Sequence, residues 1–395
     1  LAILFFILLF SLSPLIANFF DEPRLILIIR VVGVTLIIGA TSTVQVIILK
    51  KRLDFKMQAV IGFISTLISG IVSISLALAG YGVWSLVLGG LVSGLSTGLL
   101  LWKFNNWRPK FFFSVKIIKE HFNFGSKIML GSFVNTIYDN MYYVLIGKLF
   151  NPTQLGFYTR ADGFQKLPAS TIDVIVRQVT YPLLSNIQNE PDRLKGTYRT
   201  LIQTTSFLVF ILLLGLAAVA KPFIVILIGE KWLQSVPYLQ LLCFVGVFYP
   251  LISINLNILN VKGRSDLSLF IQVLKVIFSI PALLLGYYYG ITPMIFGMIG
   301  ASLTLFLFVI FLTNRMIEYS LKEQLTDIGK SFLFGIAVVF PVFVLSITLH
   351  FKPPVLLFIL LLTSLFVFIL TGELSKNKVY NMIKAIFISN LNIKK

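Results

Sequence analysis

Charged side chains are scarce in this sequence, and those set inside apolar stretches are where chemistry has to be sought. Asn135, Asp139 and Tyr142 or Tyr143 recur at i, i+4 and i+7 or i+8, which puts them on one face of a helix. Counted from Lys127, Asp139 lies about 18 Å along that helix, near the middle of an apolar run. The next stretch holds Arg160, Asp162, Lys166, Asp173 and Arg177. Asp162–Lys166 and Asp173–Arg177 are acid-before-base pairs at i+4, the favourable order on a helix. Lys275 falls roughly 12 Å into a later apolar run. Arg160, Lys166, Arg177 and Lys275, with Asn135 and Tyr142, are the substrate-binding candidates, suited to an anionic ligand in a water-filled cavity of mixed charge with a cationic excess. Asp139 and Asp173 are candidates for gating or ion coupling. Two intrahelical salt bridges at a helix seam would account for the second group without any ligand.

Other chemistry is poorly represented. There is no GxxxxGK[ST] phosphate loop and no HExxH zinc motif, and the glycine-rich stretches lie inside apolar runs. His121 is placed in a cytoplasmic loop and His350 at an external end, so neither makes a proton relay within a membrane. Cys243 is the sole cysteine, which excludes an internal disulfide and a CxxC metal site. No catalytic residue, metal or cofactor is expected, and the protein is read as a non-enzyme.

The elements that must position these residues are membrane helices. Apolar residues make up 57% of the chain and charged residues 12%, against about 45–50% and 25% in soluble domains. Mean hydropathy is +0.94. Continuous apolar runs without alternation exclude a β-barrel and are long enough to cross ~30 Å of hydrocarbon as helices. Twelve spans are expected near 1–17, 24–48, 57–79, 83–102, 127–150, 155–187, 199–220, 236–259, 267–287, 292–313, 331–349 and 354–372. The fold class is therefore all-α, a polytopic transmembrane bundle. The 155–187 segment is overlong and holds Pro168 and Pro182, so it should be kinked or project beyond the bilayer. No segment between spans is large enough to fold as a catalytic domain.

The net charge of +18 would suggest nucleic acid in a soluble protein, but here the bases lie between spans. Segments 49–56, 103–127, 188–199, 260–266, 314–330 and 373–395 hold 23 Lys and Arg, and the opposite set holds only Arg24, Lys221, Lys231 and Lys352. The positive-inside rule puts the first set, and the C-terminus, in the cytoplasm. Arg30 and Lys148 lie near outer ends of spans and can snorkel.

A weak repeat recurs at a lag of about 210 residues. The turn Lys51-Arg52-Leu53-Asp54 corresponds to Gly263-Arg264-Ser265-Asp266, and Gly80-Tyr81-Gly82 to Tyr288-Tyr289-Gly290. A glycine-bearing span follows each turn, with Gly89, Gly90, Gly94 and Gly98 in one and Gly297 and Gly300 in the other. Two lobes related by an axis along the membrane normal are implied. Gly89, Ser93 and Gly94 read as a helix contact. Leu1 begins inside an apolar run, so the sequence is read as lacking its natural N-terminus.

Ile146-Gly147-Lys148-Leu149-Phe150 with Leu155-Gly156-Phe157-Tyr158-Thr159-Arg160-Ala161 resembles a signature of polysaccharide-exporting flippases. So do Thr180-Tyr181-Pro182-Leu183-Leu184-Ser185-Asn186-Ile187-Gln188, then Asp192-Arg193-Leu194 and Tyr198. Upstream, Gly82-Val83-Trp84-Ser85-Leu86-Val87 and Trp107-Arg108-Pro109 are similar to the same group, the Wzx-type O-antigen and colanic-acid exporters of the MATE-like flippase superfamily. Pro152 departs from the pattern, standing where many members have glycine. The resemblance implies fourteen helices, two six-helix lobes and a final pair, with the first hairpin absent here. Residues 1–102 would then be a partial N-terminal lobe, 103–126 a cytoplasmic linker, 127–313 the C-terminal lobe, and 314–395 the final pair and tail. It also implies a substrate, undecaprenyl-diphosphate-linked oligosaccharide moved to the periplasmic leaflet, with polymerase and chain-length proteins as partners besides membrane lipids. Nucleic acid is not a partner. An ion-coupled drug antiporter of the same superfamily and a membrane polymerase or ligase are the alternatives; the count of bases over carboxylates at membrane depth favours the exporter over the antiporter.

The charge asymmetry generates a topology test. Cysteines at Asn105 and Asn377 in a Cys243→Ser background should resist impermeant thiol reagents in intact cells, and strong labelling at either would reverse the orientation.

Overall fold

The computed structural model describes residues 2–52, 54–105, 107–109, 114–375 and 377–392, and among these the fold is all-α with no strand. The helices are α1 Ala2–Phe19, α2 Leu25–Lys51, α3 Phe55–Leu78, α4 Val83–Phe104, α5 Val115–Leu149, α6 Pro152–Asn186 and α7 Pro191–Ala218. They continue with α8 Ala220–Ile228, α9 Ser235–Val261, α10 Ser265–Tyr289, α11 Ile291–Ile317, α12 Leu321–Thr348, α13 Pro353–Ser375 and α14 Lys378–Asn392. Ten of them, α1–α4, α7 and α9–α13, are long and apolar enough to cross a membrane. The chain is a multi-pass membrane protein. Helices α5 and α6, 35 residues each, are about 52 Å long but too polar to join that set. Eleven of the twelve expected spans fall inside a single helix to within a residue, and 199–220 runs across Val219 from α7 into α8.

Several segments expected to be loops are helical. The 188–199 stretch becomes the first turns of α7, with Pro191 at its start, and 314–330 closes to a short link before α12. There Ser320 and Glu323 form a reciprocal capping box, Ser320 Oγ accepting from Glu323 N at 3.2 Å and Glu323 Oε2 from Ser320 N at 2.9 Å. His121 belongs to α5, and the tail contains α14. Hydropathy marks where hydrocarbon ends, while capping and propensity decide where a helix ends, and here helices continue past the apolar limit. Of the expected linker, residues 106 and 110–113 lie outside the described set.

The chain divides into two compact units, residues 1–129 and 130–395. In the first, Pro14 removes the helical donor that would serve the Phe10 carbonyl, and Ser13 Oγ donates to that carbonyl at 2.7 Å. Arg30 Nε donates to Ser13 Oγ at 3.0 Å, and its guanidinium lies 4.2 Å from the Phe10 ring centroid. Arg30 is thus held by α1, where snorkelling was the expectation. Arg108 closes the C-terminal end of α4, donating to the carbonyls of Trp102 at 2.9 Å and Asn105 at 2.6 Å.

The same close-packed hairpin occurs in each unit. A Cβ on Gly89 of α4 would meet Ser73 of α3, and one on Gly297 of α11 would lie 2.7 Å from the Ala282 backbone of α10. The turns before these helices use Gly82 and Gly290, both at positive φ. Gly94 and Gly98 face Ile38 and Ser42 of α2. Gly94-Leu95-Ser96-Thr97-Gly98 has the spacing of a serine nucleophile elbow, but it lies mid-helix in α4 with Ser96 Oγ donating to the Val92 carbonyl. It lacks the strand-turn-helix context which that chemistry requires.

The core of the second unit is built by α6, α7, α9 and α11, with Tyr158, Ile202, Leu213, Leu239, Ile254 and Ile310 buried. Helix α6 starts where Asn151 Oδ1 accepts from Gln154 N at 2.8 Å and Pro152 takes the first helical turn, so the departure from glycine supplies a helix start. Helices α6 and α9 approach closely at Gly246, where an added Cβ would sit 1.7 Å from Gln165 Nε2. Asn255 of α9 accepts from Tyr198 at 2.7 Å and from Thr313 at 2.8 Å, linking α7, α9 and α11.

Helix α12 is clamped to α7 by Asp327, whose side chain is 1% exposed. Arg199 grips it bidentately, Nε at 2.6 Å and Nη2 at 3.1 Å, and Tyr319 OH donates at 2.6 Å. Arg199 is 43% exposed and can be rehydrated, whereas Asp327 cannot. Removing the arginine therefore strands a buried carboxylate. Arg199→Ala should destabilise the detergent-solubilised protein by about 3 kcal/mol, and Asp327→Asn, which keeps an acceptor, by clearly less. Thermal unfolding of the two variants checks the order.

Candidate functional site

Helices α5, α6, α9, α10 and α11 enclose a cavity of about 570 Å³ inside the second unit. Helical phase decides which α6 side chains line it. Tyr158, Asp162, Lys166, Ser170, Asp173 and Arg177 follow one another at three- or four-residue steps and all lie on its wall. Arg160, two residues before Asp162, falls on another face. Its guanidinium stands 5.6 Å from the Trp232 ring centroid, in a cluster where Phe157 packs edge-on against the same ring at 5.7 Å. Arg160 therefore does not join the cavity, and the Gly156-Phe157-Arg160 part of the family signature buttresses the turn before α9.

From α5 the cavity takes Asn135, Tyr138, Asp139, Tyr142 and Tyr143, and from α10 Gln272 and Lys275. Of the residues expected at a site, Asn135, Asp139, Tyr142, Lys166, Asp173, Arg177 and Lys275 are thus brought together. Asn135 Nδ2 donates to Gln272 Oε1 at 3.1 Å, and one turn further on Lys275 stands 4.0 Å from Asp139. Lys275 also lies 3.7 Å from the Tyr138 ring centroid, a cation–π contact.

Two of the ion pairs are closed. Lys166 Nζ meets Asp162 Oδ2 at 2.7 Å and Tyr143 OH at 3.1 Å, while Tyr143 OH donates to the same carboxylate. Arg177 Nε meets Asp173 at 2.9 Å, and Ser253 Oγ donates to the other carboxylate oxygen. The salt-bridge geometry and the cavity lining occur together, so the two readings of these residues are not exclusive. The lining holds three carboxylates and three cations. The expected cationic excess is absent, because Arg160 points elsewhere in helical phase and each remaining base faces an acid.

Tyr138, Tyr249, Ser253 and Gln272 line the cavity without having been singled out in the sequence, and Tyr158, quoted there only within the family signature, lines it too. Tyr138 was within reach, since it lies at i+3 from Asn135 on the polar stripe of α5. Tyr249 and Ser253 sit on α9, an apolar helix whose pattern gives no hint of them.

Ten apolar helices and a polar chamber enclosed among the helices of the second unit define a multi-pass membrane protein with a polar interior cavity. More specifically, it belongs to the polysaccharide biosynthesis protein family, whose profile matches residues 1–237. Teichuronic acid biosynthesis protein TuaB of Bacillus subtilis (strain 168) is 29% identical over 271 residues, 68% of this chain and 56% of the relative. Lipopolysaccharide biosynthesis protein WzxC of Escherichia coli (strain K12) is 27% identical over 290 residues, 70% of this chain and 57% of the relative. The chain thus spans a little over half the length of these curated relatives. Its fold is similar to that of lipid II flippase MurJ in an inward closed conformation, with a TM-score of 0.76 at 17% identity, over 94% of this chain and 80% of that one.

The pairs differ in how far they are exposed, which generates a stability test. Asp162 is 4% exposed and depends on Lys166, whereas Arg177 is 59% exposed. Lys166→Ala should cost about 3–5 kcal/mol by stranding Asp162, and Arg177→Ala about 1 kcal/mol. Thermal unfolding in detergent, with membrane abundance alongside, checks the ranking.

Proposed function

We propose that the chain is a flippase that carries an undecaprenyl-diphosphate-linked oligosaccharide from the cytoplasmic to the periplasmic leaflet of a bacterial inner membrane during surface polysaccharide synthesis. The observation that carries this reading is the cavity itself. A hydroxyl-rich, charged head group cannot enter hydrocarbon without losing its hydrogen bonds to water, and each uncompensated polar group costs several kcal/mol. Hydroxyls, amides and paired charges within a bundle of apolar helices can replace that water while the polyprenyl tail stays in lipid. The names of the relatives support saccharide chemistry, and the fold neighbour is itself a flippase of a lipid-linked precursor. The charge count no longer separates this reading from a drug antiporter, since acids and bases balance in the cavity; the polysaccharide biosynthesis family supports the flippase over the antiporter. The work is transport, without a covalent step.

The cytoplasmic placement of the basic segments and the C-terminus belongs to the same proposal, with polymerase and chain-length proteins as partners downstream. Asn105 is buried, so a cysteine there would be shielded on either side; exposed Lys103 and Lys378 are the better reporters of orientation.

The test is reconstitution of the purified chain in vesicles holding a fluorescent lipid-linked oligosaccharide. Wild-type protein should speed transfer between leaflets well above protein-free vesicles. Ser302→Trp, which fills the cavity from α11, should return the rate to that background at equal protein incorporation. Wild-type vesicles no faster than empty ones would refute the assignment.

A further inference from the structure

Every cation in the cavity already faces a carboxylate: Lys166 and Asp162, Arg177 and Asp173, Lys275 and Asp139. A diphosphate bonding those cations would set further negative charge beside each partner carboxylate in a low-dielectric wall. Arg177 meets Asp173 through Nε alone and Lys275 stands 4.0 Å from Asp139, so both keep donors, but the uncommitted neutral groups are of another kind. Among the described residues, the hydroxyls of Tyr138, Tyr249 and Ser302 line the cavity and make no hydrogen bond. Asp139, 60% exposed and 4.0 Å from Lys275, retains acceptor capacity. Five tyrosines in all contribute to the wall, Tyr138, Tyr142, Tyr143, Tyr158 and Tyr249. Aromatic faces, free hydroxyls and a carboxylate acceptor in a charge-balanced chamber suit a ligand with apolar C–H faces and many O–H groups, which is the chemistry of a neutral sugar.

Resting on the flippase reading, we infer that this cavity selects uncharged sugar residues of the lipid-linked head group through its tyrosines, and that its lysines and arginine do not hold the diphosphate. The three ion pairs fix the shape of the chamber, and Tyr138 and Tyr249 supply the hydroxyl contacts. The volume of about 570 Å³ lies within the range of small-ligand sites, so it accepts a few sugar residues and excludes the polyprenyl chain.

The experiment measures lipid retention by the full chain in detergent, using native mass spectrometry and two probes. One is a polyprenyl diphosphate bearing a neutral oligosaccharide, and the other is the same polyprenyl diphosphate without sugar. The variant Tyr138→Phe/Tyr249→Phe keeps both rings, including the face on which Lys275 rests, and removes only the two hydroxyls. Retention of the sugar-bearing lipid should fall by roughly tenfold or more, the effect of losing two neutral hydrogen bonds, with retention of the bare lipid unchanged. A parallel fall for both lipids would overturn the inference. So would displacement of the sugar-bearing lipid from wild-type protein by millimolar inorganic pyrophosphate, a measurement that needs no variant. Tighter retention of a probe carrying a uronic acid than of the neutral one would overturn it too. Wild-type protein that retains the bare lipid as well as the sugar-bearing one defeats the inference and leaves the flippase reading standing, whereas retention of neither defeats both.

Discussion

An ionised side chain surrounded by hydrocarbon has lost its water, and the structure around it has to return an equivalent set of partners. In this chain that requirement falls mainly on α5, α6 and α10, which carry Asp139, three of the cavity's bases and its other two acids. Helix α6 answers it internally, with acid and base one turn apart, and then adds Tyr143 from α5 and Ser253 from α9. Helix α10 brings Lys275 to a tyrosine ring and a distant carboxylate on α5. The helices of the second unit thus enclose a polar chamber in which each of those charges faces a partner. The same logic operates in the first unit, where Arg30 finds the hydroxyl that Pro14 has left beside an orphaned carbonyl.

Of the segments that mark the family, only Tyr158 reaches the cavity; the other contacts they make lie elsewhere. Gly156, Phe157 and Arg160 pack around Trp232, Arg108 closes the end of α4, and Tyr198 joins Asn255 in the core. These contacts set helix ends and crossings, so they belong to the scaffold. Tyr138, Tyr249 and Gln272 lie outside those segments.

How much was legible follows from the range of each interaction. Apolar runs and the i+4 acid–base pairs are local, and both reappear in the structure as read, including Asn135, Asp139, Lys166, Asp173 and Arg177 on one cavity. Arg160 was misplaced although the information was local too, because its two-residue offset from Asp162 is a rotation of more than half a turn. Tyr249 was not legible at all, since its significance depends on α9 facing α5 across the chamber. Helix ends were drawn too short at α7 and α12 because hydropathy reports the bilayer and is silent on the capping box at Ser320.

The balance of three acids against three bases has an electrical consequence. With all six groups ionised the chamber carries no net charge, so turning it from one side of the membrane to the other moves no charge through the transmembrane field. Work of about 2.3 kcal/mol per elementary charge per 100 mV would otherwise be done on, or by, the protein at each reversal. On the flippase reading, the chamber's own side chains then add no net charge movement to an empty return.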